Sequence, residues 1–186
     1  MKTKAWVLPL LMSAALLGAC AGTPAQPLPV PDPPLQVERF LGRWYVIANI
    51  PYFFERGKVG TYVEYHPRED GRIQDLYFYR EKQLSAPLEN NEGVAEVVDK
   101  QTGAAWRAQF LWPLWFGFNI LYVDDDYQTA LVGHPDRGLG WIYARTPQID
   151  EARLEAMFTR LEAAGYKREE FELIPQLPAA EAAEAQ

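Results

Sequence analysis

The chain has 186 residues, of which 13% are aromatic, and a formal net charge of −7. This length allows one domain of ordinary size with short appendages. The acidic balance excludes a protein that binds nucleic-acid phosphates through clustered lysine and arginine. The only cysteine is Cys20, which excludes a disulfide within one chain and a zinc site made of cysteines.

Residues 1–19 are typical of a targeting segment. Lys2 and Lys4 form a basic start, and the apolar run over residues 6–17 is too short to span a bilayer comfortably. Residues 17–20, Leu-Gly-Ala-Cys, then resemble a bacterial lipoprotein signal, in which the cysteine becomes the acylated N-terminus. We therefore predict lipidation at Cys20; the alternative is an ordinary secretory signal with a chance cysteine. Removing this segment takes away two lysines and lowers the charge from −7 to −9.

Residues 20–36 form the predicted tether. The residue after Cys20 is Ala21 rather than aspartate, and by the sorting rule that the lipoprotein resemblance implies, the destination is the outer membrane. Six prolines in the tether favour extended polyproline II geometry. At about 3.1 Å per residue, such a segment holds a domain up to about 50 Å from the lipid. A disordered linker is the alternative, with the same consequence.

Eight short β-type runs follow, separated by turn signals such as Asp70-Gly71. They cover residues 43–50, 58–66, 73–80, 93–99, 104–110, 118–123, 129–133 and 139–144. No helical period appears in this region. Eight sequential strands predict an all-β fold, an antiparallel up-and-down barrel, because closure removes the edges that so many strands expose.

The apolar period changes to that of a helix after the eighth run. Asp150 is the predicted N-cap, and Gly165 ends the helix. The apolar stripe consists of Leu154, Met157, Phe158 and Leu161. One amphipathic helix of this kind is expected to pack on the outside of the barrel. Residues 171–174 are a possible edge strand, and residues 177–186 are predicted to be a disordered tail.

Side-chain alternation predicts which residues point into the barrel. If Trp44 points inward, three later residues of its strand share that face: Val46, Ala48 and Ile50. An inward Arg145 brings Tyr143 and Trp141 to the inner face as well. On the fifth strand, Trp106, Ala108 and Phe110 share one face. The third and sixth strands remain unassigned.

Large aromatic residues beside small ones favour a partly open interior, and a barrel of eight strands has room for one small ligand. Four aromatic residues are the predicted lining of a ligand cavity: Trp106, Phe110, Trp141 and Tyr143. Because these side chains are apolar, we expect a small hydrophobic ligand.

Three stretches together resemble the lipocalin family: Gly42-Arg43-Trp44, Asp124-Asp125-Asp126-Tyr127, and residues 141–147 with Arg145. Each motif alone is weak, but three in this order with a helix after the last are strong. The resemblance covers residues 37–176. It is closest to the bacterial outer-membrane lipoprotein branch, to which residues 54–57 and 135–137 are also similar.

This resemblance implies that Arg145 packs across the Trp44 indole and, with Gly42, closes the base of the barrel. A guanidinium over an indole is worth roughly 0.5–2 kcal/mol. The lipocalin resemblance also implies that the other end of the barrel opens into a lipid cavity. Phe53 and Phe54, in the first long loop, either form part of that rim or only staple the loop together.

The usual signatures of catalysis are missing from the sequence. Ser85 lacks a nucleophile turn, and His66 and His134 lie beside prolines near predicted turns. No catalytic residue, metal site or cofactor is therefore predicted. The acidic run at residues 124–126 is interpreted as a turn with local hydrogen bonds rather than a cation site.

The predicted function is that of an outer-membrane-anchored lipid-binding lipoprotein without enzymatic activity. It stores or transports fatty acids, such as palmitate, or lysophospholipids for envelope maintenance or stress, with its domain facing the periplasm. Its partners are that ligand and the membrane, through acylated Cys20, with a homodimer possible. Two alternatives stay open: a structural or adhesive lipoprotein with a filled core, and a periplasmic enzyme that uses a carboxylate pair.

Overall fold

The computed structural model describes residues 26–184. The predicted targeting segment and Cys20 lie outside the described residues. Nine strands and three α-helices occupy the described part. The strands are β1 Gly42–Asn49, β2 Lys58–Pro67, β3 Ile73–Glu81, β4 Glu89–Val97, β5 Ala105–Leu111, β6 Leu114–Val123, β7 Thr129–Gly133, β8 Gly140–Ala144 and β9 Glu172–Leu173. The helices are α1 Val37–Phe40, α2 Glu151–Ala163 and α3 Ala179–Glu184, with a 3₁₀ turn at Arg168–Glu170.

Strands β1 to β8 form a closed antiparallel barrel, which confirms the predicted fold. Each strand pairs with the next in sequence, and β1 pairs with both β2 and β8. The pairing of β1 with β2 covers only residues 42–45 of β1. Beyond that point the two strands separate, and β9 pairs with Ala48 and Asn49 in the gap. The side chain of Gln176 completes this seam, donating to the carbonyls of Val46 and Thr61.

The barrel has a core inside and a second core between its wall and α2. Every strand of the barrel contributes to the inner cluster, through Trp44, Val63, Ile73, Ala95, Trp106, Phe118, Val132 and Tyr143 among others. The outer cluster joins Tyr45, Leu131 and Ile142 of the wall to α2. Alternation along each strand produces this division, because successive side chains point to opposite faces.

Helix α2 packs outside the barrel, as predicted. The Asp150 carboxylate accepts a hydrogen bond from the backbone N–H of Arg153 at 2.8 Å and so caps the helix. Three residues of the predicted stripe are buried against the wall: Met157, Phe158 and Leu161. Gly165 ends the helix with a φ of +87°, a conformation that favours glycine.

The prediction that Ala48 and Ile50 point inward is wrong. A bulge in β1 between Val46 and Ala48 shifts the register against β8. Because the extra residue reverses the alternation, Ala48 joins the outer cluster and Ile50 packs against it. Asn49 takes the inner face instead, where its amide donates to Glu55.

The structure assigns the two strands that alternation left open. On β3, Ile73 and Tyr77 belong to the inner cluster, so Asp75 between them faces the interior. On β6, Phe118 and Ile120 are the inner residues.

Both ends of the described chain are more ordered than the sequence predicts. Ala179–Glu184 form a short helix with Ala182 buried, whereas a disordered tail was expected at residues 177–186. The predicted tether is also partly docked: Leu35 is buried in the inner cluster, and its N–H donates to the carbonyl of Thr102. Apolar side chains that find a groove on the barrel account for both differences.

Candidate ligand-binding barrel

Arg145 closes the base of the barrel. Its guanidinium carbon lies 3.7 Å from the centroid of the Trp44 ring, so the predicted contact is present. The same guanidinium donates hydrogen bonds to three backbone carbonyls, those of Arg43 at 2.6 Å, Arg39 at 2.8 Å and Tyr127 at 3.2 Å. Arg145 therefore ties together the turn before β1 and the β6–β7 turn. Burial lowers the pKa of Arg145 to about 10, which leaves it cationic at neutral pH.

A packed aromatic plug lies directly above this contact. Trp44 and Phe40 are fully buried, and the indole N–H of Trp44 donates to the Phe40 carbonyl at 2.7 Å. Trp106 packs edge-on against Phe40 at 5.7 Å between ring centroids. Gly42 has a φ of +87°, a backbone conformation that favours glycine, and this turn leads the chain into β1 beside Arg145. This end of the barrel is sealed.

The four predicted cavity residues occupy different levels of the barrel. Trp106 belongs to the plug at the base, with its indole N–H donating to the Gly103 carbonyl. Tyr143 stacks on Trp44 just above the plug, and Trp141 lies higher, near the β1–β2 loop. Phe110 is half exposed at the rim, with its ring over Gly93. The structure therefore does not bring the four together around one cavity.

A buried carboxyl group, which the sequence analysis missed, lies beside Trp141. Glu55 comes from the β1–β2 loop and accepts hydrogen bonds from the Asn49 amide at 2.7 Å and from the Trp141 indole at 3.0 Å. Burial raises the pKa of Glu55 to about 7, although both hydrogen bonds act in the opposite direction. A glutamate in a loop is normally exposed, so no sequence signal indicated this placement.

Asp75 is a second missed carboxyl group. It is 3% exposed on the inner face of β3, and its Oδ1 has no hydrogen-bond partner among the described residues. Burial raises its pKa to about 7. The Oδ1 of Asn49 is likewise buried, and no group within residues 26–184 pairs with it. Because an unpaired buried acceptor costs free energy, both oxygens favour a ligand that supplies a hydrogen-bond donor.

A groove of about 620 Å³ lies outside the barrel rather than within it. Its walls are the N-terminal segment, the outer faces of β6 and β7, and the end of α2, including Pro29, Leu121, Leu131 and Arg160. This groove exists only because residues 26–36 fold back along the wall. Because residues 20–36 were predicted to form an extended tether, the groove was not expected from sequence.

The rim opposite the base carries exposed aromatic side chains. Phe53 and Phe54 contact each other at 4.0 Å between ring centroids, and Tyr52 packs edge-on against both rings. They staple the loop and are exposed at the rim as well. From sequence, forming the rim and stapling the loop were two alternative roles for Phe53 and Phe54. In the structure these residues have both roles.

The acidic run between β6 and β7 forms the predicted local turn. The Asp124 carboxylate accepts hydrogen bonds from the N–H groups of Gln128 and Thr129 and from the Thr129 hydroxyl. No three His, Cys, Asp or Glu side chains of residues 26–184 are grouped to hold a metal ion. Nor does any helix in that range combine the length and apolarity needed to cross a bilayer.

The sealed base and the closed sheet define a small up-and-down β-barrel protein. A family model described as a lipocalin-like domain matches residues 35–176. The chain belongs to the lipocalin family. Members of this family are in general binding proteins rather than enzymes.

Curated relatives and solved structures agree with this assignment. The chain is 33% identical over 156 residues to the outer membrane lipoprotein Blc of Escherichia coli K12, covering 81% of this chain and 87% of that protein. It is 28% identical to the Vibrio cholerae protein of the same name, covering 84% and 91%. Insecticyanin from the tobacco hornworm shares the fold, with a TM-score of 0.64 at 19% identity and coverage of 83% and 87%.

Proposed function

We propose that the protein is an outer-membrane-anchored lipoprotein that binds a fatty acid or a lysophospholipid in its barrel. It stores or carries that lipid in the envelope, in maintenance or under stress, with its domain in the periplasm. The observation that carries the proposal is the sealed base: Arg145 over Trp44 closes one end, so a ligand enters and leaves only through the other. The similarity to proteins named outer membrane lipoproteins supports the location.

The energetics of an acyl chain are compatible with useful affinity. Burying about 15 carbons is worth roughly 12 kcal/mol gross at about 0.8 kcal/mol per methylene. Association costs on the order of 4–15 kcal/mol, which leaves micromolar binding within reach. The buried oxygens of Asp75 and Asn49 add a preference, because a head group with hydroxyl or ammonium donors can pair with them.

The experiment is a titration of delipidated mature protein with lysophosphatidylethanolamine and, separately, with palmitate. We expect saturable quenching of tryptophan fluorescence in the micromolar range, because Trp44, Trp106 and Trp141 all belong to the cluster inside the barrel. Replacing Trp141 by phenylalanine is expected to reduce the signal while calorimetry still detects binding. A flat titration by both methods would support a filled, purely structural barrel.

A second candidate, a carboxylate-pair hydrolase, is favoured by one observation. Glu55 and Asp75 are both buried and both have a pKa raised to about 7, a property found in catalytic acids and bases. Mass spectrometry after incubation with a lysophospholipid distinguishes the two. We expect the lipid to be recovered intact; a cleaved product that disappears in Asp75→Asn would favour the enzyme.

A further inference from the structure

The turn between β5 and β6 exposes an unusual run of apolar side chains. Residues 110–116, which we call the apolar hairpin, read Phe-Leu-Trp-Pro-Leu-Trp-Phe and contain no polar residue. Trp112 at its tip is 82% exposed, and Leu111 and Leu114 beside it are 63% and 65% exposed. Contiguous exposed apolar surface of this kind marks a site of interaction with a protein or a membrane.

A second apolar loop lies across the barrel rim from the hairpin. Phe53 is 74% exposed in the β1–β2 loop, and Phe54 packs beside it. Both loops lie at the end opposite the Arg145 base, since β1 begins at the base and each later strand reverses direction. Four strands separate the two loops in a barrel of eight, which places them on opposite sides of the mouth.

The course of the N-terminal segment brings the chain start to this same end. Leu35 is held near the base by Thr102, in the β4–β5 connection. Gln26 lies at the other end, where its carbonyl accepts a hydrogen bond from Arg137 in the β7–β8 connection. Cys20 is six residues earlier, within about 20 Å of Gln26 even if the chain between them is fully extended. The described chain therefore starts on the side of the mouth, and six residues separate this point from the predicted acylation site at Cys20.

We infer that the apolar hairpin and Phe53–Phe54 form a membrane-docking surface whose occupant is the interfacial layer of a phospholipid bilayer. Docking turns the mouth of the barrel toward the lipid. Tryptophan and other large apolar side chains partition into this layer. Gln26, where the described chain begins, lies at the same end of the barrel. The mature chain carries a net charge of −9, so the attraction is apolar and not electrostatic. The inference extends beyond the proposed function, because docking does not depend on which ligand the barrel holds.

The test uses the mature chain, residues 20–186, with Cys20→Ser, so that no acyl group is present. Cys20 is the only native cysteine, and Leu111→Cys then places a single polarity-sensitive fluorophore on the hairpin. Val98→Cys is the matched control, because Val98 is 59% exposed in the β4–β5 connection at the base. With phosphatidylcholine vesicles at millimolar lipid, we expect a blue shift at position 111 and none at 98, unchanged by high salt.

A second measurement removes the surface. Trp112→Ser combined with Leu114→Ser changes only exposed side chains, and we expect about tenfold weaker partitioning into the vesicles. Val98→Ser should partition like the parent.

Vesicle binding that survives the double substitution, equal shifts at positions 111 and 98, or the absence of any shift would overturn the inference. Self-association through the hairpin without vesicle binding would overturn it too and would identify a dimer face. The lysophospholipid titration is expected to be unchanged by the double substitution, which separates a failure of docking from a failure of the proposed function.

Discussion

Arg145 shows how much of the barrel base depends on one side chain. It stacks on Trp44 and donates to backbone carbonyls from α1, β1 and the β6–β7 turn. A single cation directly after β8 therefore holds the α1–β1 segment and the β6–β7 turn, which lie more than 80 residues apart in sequence. A lysine carries the same charge but lacks the planar, forked geometry that makes these contacts together.

Arg145→Ala is expected to lower the free energy of unfolding by about 1–3 kcal/mol, the scale for buried groups left without a partner. The three carbonyls lose their donor and the Trp44 ring loses its cation. Chemical denaturation of the mature chain measures the change, with Arg153→Ala, at an exposed position of α2, as the control. Equal midpoints for the Arg145→Ala variant and the parent would show that this contact does not stabilise the base.

Asp75 makes stability depend on pH in an uncommon direction. Its folded pKa of about 7 lies above the ordinary value of 3.8, so the folded state holds a proton that the unfolded state has released. The contribution of Asp75 is therefore most favourable below pH 4 and falls as the pH rises toward 7. The substitution Asp75→Asn removes this dependence. The unfolding free energy of Asp75→Asn minus that of the parent should therefore be on the order of 2–4 kcal/mol larger at pH 8 than at pH 4.

Urea midpoints of the parent and of Asp75→Asn at the two pH values check this expectation. Asp125→Asn is the matched control, since Asp125 is exposed in the β6–β7 turn. A difference between Asp75→Asn and the parent that is the same at both pH values would indicate that the native carboxyl is ionised throughout.

At the scale of elements, the contact between the segment after α2 and the β7–β8 hairpin needs two glycines. Gly133 and Gly140 face each other across β7 and β8. Tyr166 packs over them, and its hydroxyl donates to the His134 carbonyl at 3.1 Å. A Cβ on Gly133 would lie 1.9 Å from that hydroxyl oxygen. The glycine pair therefore fixes how closely the helical layer approaches the barrel.

Gly133→Ala is expected to destabilise the fold by about 1–3 kcal/mol, because Tyr166 must move away. Gly117→Ala on neighbouring β6 is the control, with no atom closer than the Trp106 carbonyl at 3.9 Å. Adding Tyr166→Phe to Gly133→Ala should recover part of the loss, since the hydroxyl is the nearest obstacle. Thermal melts of the parent, Gly133→Ala, Tyr166→Phe and the double variant provide a double-mutant cycle. If the two effects on stability simply add, the clash is contradicted.

At the scale of the whole molecule, the N-terminal segment determines where the described chain begins relative to the barrel. Residues 26–36 do not project away from the domain but pack along its wall. If Cys20 carries the proposed acyl anchor, only residues 20–25 separate it from the segment that packs on the wall.

Cys20→Ser, expressed behind an ordinary cleavable secretory signal, should leave the domain folded and release it into the soluble periplasmic fraction. Docking through the rim alone is weak and reversible, so washing removes it, whereas two or more acyl chains anchor stably. Circular dichroism and cell fractionation measure the two properties. The Trp112→Ser, Leu114→Ser double variant with Cys20 intact is the control and should stay with the membrane. Retention of the washed Cys20→Ser protein in the membrane fraction would contradict the anchor.

Local pattern was sufficient for the number and order of the strands, the barrel and α2, because alternation and helical period depend on neighbouring residues only. The bounds were less accurate, since β4 and β6 each begin four residues before the predicted run. The motifs around Trp44 and Arg145 were sufficient for the family and for the base contact. Tertiary structure decided the rest. The β1 bulge moved Ala48 outward and Asn49 inward, and burial of Glu55 and Asp75 made the upper interior polar. Each of these features depends on groups brought together from distant parts of the chain, and the free energy of burying or pairing them appears only when the barrel closes.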